Sequence, residues 1–322
     1  MTPAVVRQAC LEARYVAGMP NLCYNGLSEN WLLKECGHRH WLAIAQAQGS
    51  QQPEFRDAQG RKVYAAFTLV RLSDARLEQI GEHDAFSITS QCLPVGRAQH
   101  YSRHELLMHG QRGARVEMLS AFVRREKPGN NRSVVRAAMT ESKVNHDAMD
   151  QELATAADAF VRHGRERRAG AWSEPPGMHS GEGGTDRHET VFMPCPNNDF
   201  NGADLLYFAS FQAVVDRAEW SWMVNAQPPG RPAAIIEREM VFYGNMNLGD
   251  SVHTSLGVHD SGGMHLSHRS ELRRGSDNAR IAEVYTRKLI PLYAQGKALT
   301  TPTDMVFLKA TASYASDGSW AQ

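Results

Sequence analysis

The chain has no excess of either charge: 35 Lys and Arg balance 35 Asp and Glu over 322 residues. That balance removes the long-range electrostatic case for a nucleic-acid partner, and the basic runs at 124–127 and 162–168 read as solvated faces. Cysteine is scarce. Cys10, Cys23, Cys36, Cys92 and Cys195 are odd in number and show no metal-ligand spacing. They suit reduced thiols in a cytoplasm better than a disulfide framework. No apolar run approaches a membrane span, and the N-terminus lacks the charged start and apolar core of a secretion signal. Familiar catalytic signatures are missing too, with no Gly-x-Ser-x-Gly elbow, no Gly-x-x-x-x-Gly-Lys-Ser/Thr loop and no His-Glu-x-x-His. Of the histidines, His38/His40, His100/His104 and His265/His268 form no recognised zinc pattern. The expectation is a cytoplasmic protein without metal, membrane or nucleic acid.

What the chain does contain is one device used twice. Asn25-Gly26-Leu27-Ser28 is a tight turn running into an N-cap, and it predicts a helix from Ser28 to Gln46, with Gly37 as a kink or break. Asn201-Gly202-Ala203-Asp204 repeats the turn and predicts a second helix from Asp204 to about Val224. Strands are predicted at Val63–Leu72, Ala85–Leu93, Arg115–Arg124 and Ser133–Met139. The second half gives Ala234–Asn245, Ser251–Val258, Met264–Arg273, Ala279–Leu289 and Met305–Thr311. Residues 1–19 read as a lead-in with weak helical periodicity, 144–168 as a connecting helix and 169–190 as a flexible Gly/Ser/Pro-rich linker. Asp84–Ser87 answers Asp250–Thr254, and His100–Leu106 answers His265–Leu272, in the same order at similar spacing. Two units of one α+β fold are expected, at 1–143 and 191–322, with 144–190 between them.

A helix start exposes unpaired N–H groups at the positive end of its dipole, and a preceding glycine lets a substrate come close to the backbone. Such a site suits a carbonyl oxygen that gains negative charge. An ordinary capped helix would look the same in either copy alone.

One helix wrapped by an antiparallel sheet, twice in one chain, resembles the double hot-dog fold of acyl-thioester enzymes. More closely, Gly18-Met19-Pro20 with Gly26–Glu35, and Asp199–Phe211, resemble the bifunctional acyltransferase/decarboxylase family of leinamycin-type polyketide biosynthesis. The resemblance implies a cofactor-free enzyme. It would take methylmalonyl-CoA or malonyl-CoA, move the acyl group through an acylated tyrosine to an acyl carrier protein, and decarboxylate it. The family's tyrosine matches Tyr64, with Tyr243 as a counterpart in the second half. On that basis Asn25, Gly26, Leu27 and Ser28 are expected to hold the developing charge. Glu29, His100, Asn201, Gly202 and Asp204 are expected to contact substrate. Two other readings stand beside it: a hot-dog thioesterase or dehydratase-like enzyme using Glu29, Asp199 or Asp204 as base, and a non-catalytic carrier-binding module. A double hot-dog already supplies the pairing that single ones obtain by dimerising, so a homodimer is left open.

Overall fold

The computed structural model describes residues 5–6, 9–96, 98–137, 143–144, 150–170, 187–226, 232–260, 264–290, 292–294 and 297–299. In chain order its main elements are β1 (Ala9–Val16), α1 (Glu29–Ala47), β2 (Lys62–Ser73), β3 (Ala85–Pro94), β4 (Gln99–Met108), β5 (Gln111–Arg125) and α2 (Gln151–Arg168). They continue as β6 (Arg187–Phe192), α3 (Phe208–Ala226), β7 (Ala234–Phe242), β8 (Val252–Asp260), β9 (His265–Arg274) and β10 (Arg280–Leu289). Among the described residues no helix is long and apolar enough to cross a membrane.

The ten strands form one antiparallel sheet in the order β6-β8-β9-β10-β7-β2-β5-β4-β3-β1. Each half runs through its strands in the same way, and the two meet at the pair β7–β2. Only four residue pairs make that seam, from Arg238↔Leu72 to Val241↔Leu69. Both seam strands carry a bulge at the same place, Thr68 in β2 and Ile236 in β7. The bulges turn each strand away from its partner.

Alternation along the strands sorts the two faces of the sheet. Val70, Met118 and Met240 point to one side, into a core shared with Leu32, Leu33 and Cys36 of α1 and Phe211, Val214 and Val215 of α3. Leu69, Leu119, Tyr101 and Val241 point to the other, where Leu153, Ala157 and Phe160 of α2 cover the seam. Ser28 caps α1 by accepting from the Trp31 N–H at 3.2 Å, and Asp150 caps α2 through the N–H groups of Glu152 and Leu153.

Several sequence expectations need correction. Residues 9–16 are not helical but an edge strand, with Leu11, Ala13 and Tyr15 half-buried and Cys10, Glu12 and Arg14 out in solvent. The repeat at 100–106 is itself a strand, β4. Residues 187–192, whose first four fall in the expected linker, form the opposite edge. Of the expected strand Ser133–Met139, Ser133 ends a 3-10 turn at Asn131–Ser133 and Val134–Arg136 pair with β5, while residues 138–139 lie outside the described residues. The segment Met305–Thr311 lies outside the described residues. Gly37 does not break α1, which runs unbroken from Glu29 to Ala47; a Cβ there would sit 2.7 Å from the Phe208 ring, so glycine lets the two helices cross closely.

The second helix begins at Phe208, not at Asp204. The Asn201 side chain accepts from the N–H groups of Ala203 and Leu205 at 2.9 and 3.2 Å, closing an Asx-type turn before any helix starts. Asp204 sits at φ 56 and is no N-cap.

Candidate functional site

Because the seam is short, β7 leaves β2 after Val241, and from Tyr64 to Thr68 the edge of β2 turned away from β5 has no strand beside it among the described residues. A cavity of about 440 Å³ opens there. Its walls are that bare edge, the Leu205–Phe208 entry into α3, the Phe242–Asn245 exit from β7 and the 131–136 turn. Phe67, Phe208 and Phe211 make an apolar floor, with the rings of Phe67 and Phe208 4.4 Å apart. Around it stand Arg132, Arg136, Arg168, Arg274 and Arg280. Among the described residues that line it there is no carboxylate and no imidazole.

Tyr64 lies in this wall, half-buried, with its ring 6.3 Å from Trp41 and the Lys62 ammonium 5.3 Å from its centroid. No hydrogen bond to a described residue engages its hydroxyl. Tyr243 lines the same cavity with its phenol committed, donating to Glu283 at 2.5 Å. Burial, then Glu283, pushes that phenol up to about 12. By strand register the position equivalent to Tyr64 is Pro232, so Tyr243 is not its counterpart. Tyr207 also reaches the cavity, its phenol raised to about 12, mainly by burial.

The structure does not bring Asn25, Gly26, Leu27 and Ser28 to Tyr64. They sit at the opposite end of the seam, where the Asn25 amide donates to the carbonyls of Pro232 and Ala233 at 2.9 and 3.3 Å. Leu27 is buried in the core. At Gly26, φ is 98°, and a Cβ would lie 2.4 Å from the Leu77 carbonyl oxygen. The glycine therefore serves close packing on the protein's own 77–80 turn, not the approach of a ligand. Gly26→Ala is expected to cost at least about 2 kcal/mol from combined strain and overpacking; a urea midpoint within error of the parent would contradict this.

Glu29 is buried and ion-paired. Arg238 donates to its two oxygens at 2.7 and 3.1 Å, and to Asp216 of α3 at 2.7 Å. Lys288 bridges Asp216 and Glu219 at 2.9 and 2.8 Å, and Glu219 meets His268 at 2.9 Å. Burial pushes the Glu29 carboxyl up, against the pull of Arg238. Two pseudo-equivalent gaps flank the seam, and this one is closed by the 77–80 turn, the docked Asn25 and the ion network. The other is open.

His100 is not in the cavity. It is buried against Phe122, 5.3 Å ring to ring, with its Nδ1 unpartnered and its pKa lowered to about 4 by burial. Beside it runs a buried file: Ser120 to His40 at 2.7 Å, His40 to Ser102 at 2.6 Å, Ser102 to His104 and His104 to Ser90 at 2.8 Å each. His40 stands where Glu219 stands in the other half, and Ser102 and Ser120 where His268 and Lys288 stand. One half fills this layer with neutral groups and the other with charges. Asn201 lines the open cavity while holding its own turn; a Cβ at Gly202 would meet nothing within 4 Å, and the Asp204 carbonyl accepts from the Asn131 amide. Asn131 and the arginines escaped sequence reasoning, since they lie in segments read as a strand, a helix end and turns. Among the described residues no group of His, Cys, Asp and Glu could hold a metal ion.

Two helix-and-sheet units continuous through one antiparallel sheet define the class as a double hot-dog α+β protein. Solved structures agree with this fold. An acyl-ACP thioesterase from Bacteroides thetaiotaomicron is similar at a TM-score of 0.57 and 10% identity, over 87% of this chain and 97% of its own. The 12:0-ACP thioesterase from Umbellularia californica gives 0.56 at 9% identity, over 88% and 94%. No protein-family model matches the chain, and no curated protein matches it significantly.

Proposed function

We propose that the chain is an enzyme of acyl thioesters that works in the open gap at Tyr64, as a decarboxylating acyltransferase. The observation that carries this is the composition of the cavity. A phenol with no partner among the described residues faces a basic, partly apolar chamber whose described lining offers no carboxylate or imidazole to activate water. That arrangement favours attack by the protein's own hydroxyl over base-assisted hydrolysis.

In the reaction, Tyr64 Oη forms an ester with the acyl carbon of a methylmalonyl or malonyl thioester. The C–S bond breaks, and the phenol proton leaves with the CoA thiol. Loss of CO2 breaks the C–C bond to the carboxylate and leaves an enolate, which takes a proton from water. A carrier-protein thiol then accepts the acyl group and returns the proton to Tyr64. The oxygen becomes a nucleophile as its proton leaves, and the arginines of the cavity and Lys62, 5.3 Å from the ring centroid, put positive charge beside the reacting ester. Backbone N–H groups at the start of α3, at Phe208 and Ala209, would carry the oxyanion. This role passes from the first turn copy to the second.

The test is the mass of the intact protein after exposure to methylmalonyl-CoA. The parent should gain one acyl group and release CO2, and Tyr64→Phe should show neither. An adduct or unchanged turnover in Tyr64→Phe would rule out the covalent role.

A second reading, thioester hydrolysis, has its own observation. Asp216 is about a third exposed (35%) between the two helices, with Lys288 and Arg238 holding its carboxylate. Hydrolysis of acyl-CoAs that lack an α-carboxylate, lost in Asp216→Asn but not in Tyr64→Phe, would favour it.

A further inference from the structure

Arg168 and Arg136 stand out among the cations of the cavity. Arg132 is paired with Asp250, Arg274 with Asp277, and Arg280 with Glu283. Neither Arg168 nor Arg136 has a carboxylate partner among the described residues. Arg168 ends α2 and is fixed by donating to the Phe242 carbonyl, with its guanidinium stacked 5.3 Å over the Tyr243 ring. Arg136 comes from the other side, on the short strand that pairs with the end of β5. Two like charges thus face one cavity from separate elements, with no acid among the described residues that line it. Burial, together with Arg136, lowers the pKa of Arg168. Both side chains are exposed at the rim of the cavity, and Arg168 is tied down there by a backbone carbonyl and an aromatic face.

We infer that Arg136 and Arg168 form an anion clamp that selects the substrate by an oxyanion group, carboxylate or phosphate, held between the two guanidinium forks. A planar guanidinium meets either group through paired N–H donors, and a second cation nearby neutralises what one leaves over. The like-charge repulsion that burdens the empty site turns into attraction when an anion enters. The inference rests on the acyl-thioester reading and names the part of that substrate the site recognises. The α-carboxylate of the acyl group and the phosphates of CoA are the two sources of such an anion.

The experiment uses the full chain carrying Tyr64→Phe, so that binding is measured without turnover. Calorimetry follows methylmalonyl-CoA, propionyl-CoA and S-propionyl-pantetheine, with and without Arg136→Met plus Arg168→Met. The double change should weaken methylmalonyl-CoA at least thirtyfold and leave the uncharged pantetheine thioester within threefold. An equal loss for propionyl-CoA assigns the anion to the phosphates, and a loss confined to methylmalonyl-CoA assigns it to the carboxylate. Arg136→Lys plus Arg168→Lys should recover only part of the affinity, because the charge returns without the fork. Unchanged binding of both CoA thioesters in the methionine variant, shown folded by an unaltered melting temperature, overturns the inference. Binding of neither by the starting protein overturns it as well. The acyl mass on Tyr64 decides the acyl-transfer reading separately.

Discussion

Arg238→Met is expected to destabilise the protein by about 3–5 kcal/mol, the usual cost of removing one partner from a buried ion pair. The Arg238 side chain is 0% exposed and touches α1 through Glu29, α3 through Asp216 and β10 through Thr286. Without it Glu29 keeps a buried carboxylate with no cation bonded to it and only the more distant pull of Lys288, while Asp216 retains Lys288 directly. The loss should therefore fall mainly on the Glu29 side. Glu29→Leu combined with Arg238→Met removes both charges and should recover much of the stability, since apolar replacement of a whole pair is often near neutral. Urea unfolding of the two single changes and the double gives the coupling. Additive losses would show that the two residues do not depend on each other.

Acid should act through the other half. His100 and His104 are held at about 4 and about 3 by burial, and His40 is lowered in the same way. A histidine with a depressed folded pKa stabilises the protein above its unfolded value near 6.5 and loses that contribution as pH falls. At pH 5 His100 and His104 should together have given up about 4 kcal/mol, with His40 adding to it. Glu239 and Asp277, held at about 2 by their cations, lose theirs only below the ordinary carboxylate range. In the window from 6.5 to 5 these histidines act together with His268, lowered by burial as well. Against them work the raised carboxyls of Glu29, Glu78 and Glu237, which add stability as they take up protons. A loss of this size is a large share of a domain's total stability. Urea midpoints between pH 7.5 and 5 measure it, and His104→Gln should take one proton out of the slope. A midpoint flat down to pH 5 would mean that these imidazoles already protonate in the folded chain.

Much of the fold could be read from residues alone. The Ser28 cap, the repeated strand starts at Asp84 and Asp250 and the paired Glu-Leu at 105–106 and 271–272 locate real equivalences. Expectation failed where local signals were weak or shared. Residues 9–16 alternate like a strand, but with only modest residues inward, as suits an edge. Asp204 has the chemistry of a cap, yet Asn201 had already claimed the neighbouring N–H groups. Gly26 has the look of a ligand-facing glycine, and what it faces is the carbonyl of Leu77. The cavity was out of reach for a different reason. It exists because β7 parts from β2 after four pairs, and no local pattern records where two distant strands separate. For the same reason Tyr64 could be matched in sequence but not assigned its surroundings, which come from the second half.

The seam at β2–β7 also has a consequence for inheritance. In a symmetric dimer of single hot-dogs every substitution appears twice, so both gaps and both interiors must change together. Joining the halves in one chain lifts that constraint. A lysine, a glutamate and a histidine can then occupy one interior while serines and histidines occupy the other. One gap can be walled up as ballast for the fold while its twin is left free to acquire chemistry.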